Sequence, residues 1–122
     1  MILPIQTTVE INNLRITNMT DAQILTITIE FEPKYKDGVK NNTVTARNLV
    51  RQSPELRQVI TQMIRPFVQE FIDKKEISNY AYNQNGITAG GKKVSFYLIF
   101  SCYEGMPSDI DKYIEDALLN VK

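Results

Sequence analysis

Two hydrophobic periods, kept in separate stretches, constrain this chain more than anything else in it. From residue 56 to 72, Leu56, Val59, Ile60, Met63, Ile64, Phe67, Val68, Phe71 and Ile72 recur every three or four positions. That spacing lines one broad face of a helix. In residues 25–31 the period is two: Leu25, Ile27, Ile29 and Phe31 alternate with Thr26, Thr28 and Glu30. Residues 94–102 repeat it, with Val94, Phe96, Leu98, Phe100 and Cys102 in one row. Strict alternation belongs to a strand buried on one side. A chain carrying both patterns must lay a helix stripe on a sheet face, which predicts an α+β fold.

The remaining elements follow from punctuation. Residues 9–16 alternate but slip phase between Ile11 and Leu14, as a strand with a bulge near Asn12-Asn13 would. Residues 18–23 supply the turn into the strand at 25–31, and Pro33 is expected to end that first hairpin. Residues 34–43 read as a polar loop and 44–52 as a short helix. Ser53-Pro54-Glu55 opens the long helix with a cap, a proline whose missing N–H costs nothing, and an acid in the first turn. Pro66 should kink that helix rather than end it, because the period continues to Ile72. Residues 77–84 and 94–103 make a second strand pair, joined by a flexible connection marked by Asn85-Gly86 and Gly90-Gly91. A last helix starting at Ser108 places Ile110, Tyr113, Ile114, Ala117, Leu118 and Val121 on one side. The expected order is ββ-α(α)-ββ-α. That is a single domain, residues 1–122, with a four-stranded antiparallel sheet from two β-hairpins and helices packed mainly on one face.

The most informative absence is histidine: the chain has none. Ser-His-Asp and Cys-His catalysis, His-ligated metals and the commonest general base at neutral pH are excluded with it. Cys102 is the single cysteine, so thiolate zinc sites and an internal disulfide go too, and a reducing compartment, the cytoplasm, is expected. Its phase puts Cys102 with the core row. The longest apolar run, residues 96–100, is far short of the ~20 residues that cross a bilayer, and the apolar N-terminal stretch, residues 1–5, carries no basic region. Neither a secretory signal nor a membrane partner is therefore expected, and the sequons at Asn18 and Asn41 read as chance.

Two stretches mimic chemistry. Asp111 and Glu115, four apart near Asp109 and Asp116, could hold magnesium. The plainer reading is a solvated face with acids near the positive end of a helix. Residues 85–93 combine glycines with Lys92-Lys93 but lack the strand-to-helix context and the Ser or Thr of a phosphate loop. No catalytic residue, cofactor or metal site is predicted.

Binding is left. Tyr97, Ile99 and Tyr103 fall in the row opposite the core, with Tyr80 and Tyr82 as candidate neighbours. An aromatic outer row suits a protein contact, ordinary core if helices cover both faces, or base stacking. Residues 34–65 carry seven basic and two acidic side chains, between flanks that are net negative. Lys34, Lys36, Lys40, Arg47 and Arg51 could meet phosphates, though solvated surface explains them as simply. The leading expectation is a non-enzymatic accessory module that binds protein, as a homo-oligomer or within a larger complex. Its Asn-, Lys- and Ile-rich composition suits a phage or mobile element. The alternative is a single-stranded nucleic-acid binder, a five-stranded barrel if residues 39–46 form a strand. A carboxylate–magnesium enzyme ranks third.

Overall fold

Strand β3 (Ile24–Tyr35) lies in the middle of the sheet, with a neighbouring strand on each edge and one apolar face. The computed structural model describes residues 2–6, 9–35, 42–75, 81–84, 86–90, 92–101 and 109–122. On one side β3 pairs antiparallel with β6 (Lys93–Ser101), Ile27 opposite Leu98 and Ile29 opposite Phe96. This register stacks the two apolar rows on one face, where Leu25, Ile27, Ile29, Phe31, Val94, Phe96, Leu98 and Phe100 are all buried. On the other side β2 (Val9–Asp21) folds back through Ala22 and Gln23. Ala22 takes a positive φ of 52°, the left-handed region that a two-residue hairpin turn requires.

The bulge implied by the phase slip is present. Register shifts between Asn12 and Arg15, which pair with Glu32 and Glu30, so Asn13 and Leu14 together oppose Phe31. Asn13 adopts φ 54°, a conformation asparagine accepts more readily than most residues. The extra residue returns Ile11 and Ile16 to the same face.

The four-stranded sheet from two hairpins does not form; the described residues contribute six strands in one sheet. β1 (Ile2–Gln6) pairs with the start of β2 and makes β1-β2-β3 a three-stranded antiparallel run. Beyond β6 lie β4 (Ala81–Gln84) and β5 (Thr88–Gly90), both paired with it, so the order is β1-β2-β3-β6-β4 with β5 also on β6. Three misreadings explain the difference. β1 is short, contains Pro4 and carries no alternation. Thr88–Gly90, read as loop because of its glycines, is a strand held by β6 from Ser95 to Lys93. Pro33 does not end β3, because pairing with β6 stops at Phe31 and, among the described residues, the rest of the strand has only β2 beside it. Proline is tolerated in such an edge segment.

Helices α1 (Thr43–Gln52), α2 (Pro54–Lys75) and α3 (Ile110–Leu119) bury their apolar sides in the same core as the sheet. The helical start at Thr43 also removes the five-stranded barrel that a strand at 39–46 would have made. Asn42 caps α1, its side-chain oxygen accepting from the Thr45 N–H at 2.9 Å. Ser53 separates α1 from α2 and caps the second, accepting from the Leu56 N–H at 3.2 Å. Leu56, Ile60, Ile64, Val68 and Phe71 form the buried stripe of α2, while Pro66 sits on the exposed side and the helix runs through it. Phe67 is only half-buried. No helix among the described residues is long and apolar enough to cross a membrane.

Candidate functional site

Because every described helix packs on one side, the other side of the sheet is open. Its rows follow from register. Met19 lies opposite Thr26, which lies opposite Ile99; Thr17, Thr28 and Tyr97 make the next row. Asp21, Ile24 and Ser101 make the row at the hairpin end. Met19 is 65% exposed, Ile24 46% and Tyr97 40%, with Ile99 half-buried between them. Four apolar side chains thus share one end of an uncovered sheet face, separated only by threonines.

The other end of this face is charged. Glu30 accepts from Arg15 at 2.6 Å and lies 3.4 Å from the Lys93 ammonium. The hydrogen bond from Arg15, and Lys93 beside it, hold the Glu30 carboxyl below its ordinary range despite partial desolvation. Asn13 donates to Glu32 at 2.7 Å, and these groups line a shallow depression of about 230 Å³ beside the bulge. A second hollow, about 260 Å³, lies on the helix side, where Asn18, Thr20 and Leu25 meet Phe67, Phe71 and Lys74.

The residues singled out in the sequence are distributed as follows. Tyr97 and Ile99 stand on the open face. Tyr82 pairs with Phe100, which places it in the row alternating with that of Tyr97; its side chain lies outside the described residues. Tyr80, Tyr103, Cys102, Lys36 and Lys40 also lie outside them. Lys34 is exposed near the end of β3. Arg51 donates Nε to the Leu119 carbonyl at 2.9 Å, closing the end of α3. Arg47 is half-buried, its Nε enclosed with no hydrogen-bond partner among the described residues.

The acidic pair near the C-terminus is occupied by arginines. Asp111 takes two bonds from Arg65, both at 2.8 Å, and Glu115 takes one from Arg57 at 2.8 Å. Moving up α2 from Arg57 to Arg65 moves down α3 from Glu115 to Asp111, so the two helices are clamped antiparallel. In the glycine-rich stretch, the Ile87 N–H donates to the Lys122 carbonyl at 2.8 Å, and a Cβ on Gly86 would lie 3.2 Å from that oxygen. Glycine is there for a close backbone approach.

Met19 and Ile24 are the site residues that sequence reading missed: Met19 fell in the stretch assigned to the turn, and Ile24 between that turn and the first residue of the strand's apolar row. Extending the alternation of Arg15 and Thr17 one more step would have found Met19. Comparison with protein-family models, with curated proteins and with solved structures returned no match to this chain.

Proposed function

We propose that the chain is a non-enzymatic accessory module that acts by protein contact, either with copies of itself or within a larger complex. The observation that carries this is the uncovered apolar end of the sheet, where Met19, Ile24, Tyr97 and Ile99 stand together. Exposed sheet faces are ordinarily polar, and an apolar patch of neighbouring side chains gains from being covered. The single cysteine favours a cytoplasmic setting, and the composition suits an accessory protein of a phage or mobile element.

Single-strand nucleic-acid binding is the rival, since Tyr97 is exposed on a sheet as a stacking residue would be. Charge argues against it. Arg15 and Lys93 share the Glu30 carboxylate, which offsets part of their charge, and Arg51, Arg57 and Arg65 are engaged in the helical layer behind the sheet. Lys34 lies six residues along β3 from Thr28, the neighbour of Tyr97, or about 20 Å away. Stacking surface and phosphate-binding charge do not coincide.

The test pairs Met19→Asp with Tyr97→Asp in one variant and follows folding by circular dichroism. Complexes formed by the wild-type chain in its native cell should be lost while the fold survives, because both positions are exposed. Complexes that persist unchanged would refute the reading. Binding to a single-stranded oligonucleotide should be weaker than about 10 µM near physiological salt; a sub-micromolar complex lost in Tyr97→Ala would favour the rival.

A further inference from the structure

Strand β2 has a neighbour on one side only for most of its length. β1 pairs with it no further than Asn12, whereas β3 stays paired through Asp21 opposite Ile24. Among the described residues no strand takes up the free edge beyond the bulge. Proteins blunt such edges with lysine, proline, bulges or brevity, because unpaired N–H and C=O groups recruit another strand. The rest of this sheet follows that rule. Its far border is the four-residue β4 and the three-residue β5 with a break between them, and β1 is short and contains Pro4. Residues 15–21, RITNMTD, have no lysine, no proline and no further bulge.

The charges on this edge are self-complementary. Arg15 and Asp21 are its only charged residues, of opposite sign, each three positions from Asn18 and both in the open-face row. We propose that two copies of the chain join along it, β2 to β2, antiparallel about a twofold axis at Asn18, into one continuous sheet. In that register Arg15 lies opposite the partner's Asp21 and Asp21 opposite the partner's Arg15. Thr17 meets the partner's Met19, and Ile16 meets the partner's Thr20 on the helix side. A shift of two residues either way loses both charge pairs, and a shift of one mismatches the faces. Arg15 has donors to spare, since the bond to Glu30 uses one of its five N–H groups.

The helix side adds a second complementarity. Thr20 lines the 260 Å³ hollow together with Leu25, Phe67 and Phe71, and the residue set opposite it is the partner's Ile16. The half-buried Phe67 thereby gains an apolar neighbour. This proposal rests on the self-association half of the function above and names the edge, rather than the open face, as its seat. The open face stays free, and its two copies become continuous across the dimer.

Sedimentation equilibrium tests it. Wild-type protein should show twice the chain mass of 14.0 kDa at tens of micromolar. D21R turns both pairs repulsive and should weaken the dimer roughly tenfold or more. The swap R15D/D21R should bring association back towards the wild-type value, with folding checked by thermal melting because R15D also removes the bond to Glu30. Amide exchange over residues 14–21 should slow as concentration rises, and exchange elsewhere in the sheet should not. A monomeric wild type overturns the proposal and leaves docking of a foreign partner on the open face standing. A dimer that D21R leaves intact and Y97D dissolves also overturns it, moving the contact to that face. A folded double swap that fails to restore the dimer overturns the register.

Discussion

Arg57 should contribute more to stability than its pairing with one carboxylate suggests. Its side chain is 10% exposed and works in three directions. Nε donates to Glu115 of α3 at 2.8 Å, and Nη1 donates to the carbonyls of Val50, at 3.3 Å, and of Arg51. The last two belong to the end of α1, where carbonyls have no partner within the helix. Arg57→Ala strips both at once, and a buried acceptor left unsatisfied costs about 1–3 kcal/mol. Glu115, 40% exposed, recovers solvation and limits the rest. The expected loss is about 3 kcal/mol, a fall in Tm of roughly 10–15 °C for a domain of this size. Arg65→Ala is the control. It removes a bidentate pair of better geometry, but with both partners about half exposed it should cost no more than about 1 kcal/mol. Urea denaturation of the two variants decides the matter. Equal losses, or less than about 1 kcal/mol for Arg57→Ala, would refute the view that the buried carbonyls, not the ion pair, set the cost.

Two further outcomes follow from burial. The Tyr35 hydroxyl is enclosed without a hydrogen-bond partner among the described residues, and burial pushes its pKa up. Tyr35→Phe should be neutral to about 1 kcal/mol stabilising at pH 7. The wild type should lose stability as pH rises past the ordinary tyrosine value of 10.0, where the unfolded chain ionises first. That alkaline loss should shrink in the variant, and a clear destabilisation at pH 7 would mean that the hydroxyl has a partner. The two phenylalanines of α2 should separate in urea melts. Phe71→Ala should cost about 3–5 kcal/mol as a core truncation. Phe67→Ala, at the mouth of the hollow, should cost well under half of that, and equal costs would contradict their burial.

What the sequence determined is what a short stretch can encode. The stripe on α2, the apolar rows of β3 and β6, the cap at Ser53 and the bulge at Asn13 were all legible. Period, capping and phase depend on residues a few positions apart. The folded chain decided the rest through pairings that no local pattern carries. Thr88–Gly90 became a strand because β6 offered it an edge, and β3 ran past Pro33 because, among the described residues, no second neighbour needed the missing N–H. Asp111 and Glu115 met Arg65 and Arg57, 46 and 58 residues away. The open face illustrates the division best. Alternation put Tyr97 and Ile99 in an outward row, but only the register of β2, β3 and β6 brought Met19 and Ile24 beside them. Only the packing of the three described helices on the opposite face left Met19, Ile24 and Tyr97 exposed around Ile99, because burial is a property of the assembled layers rather than of any one strand.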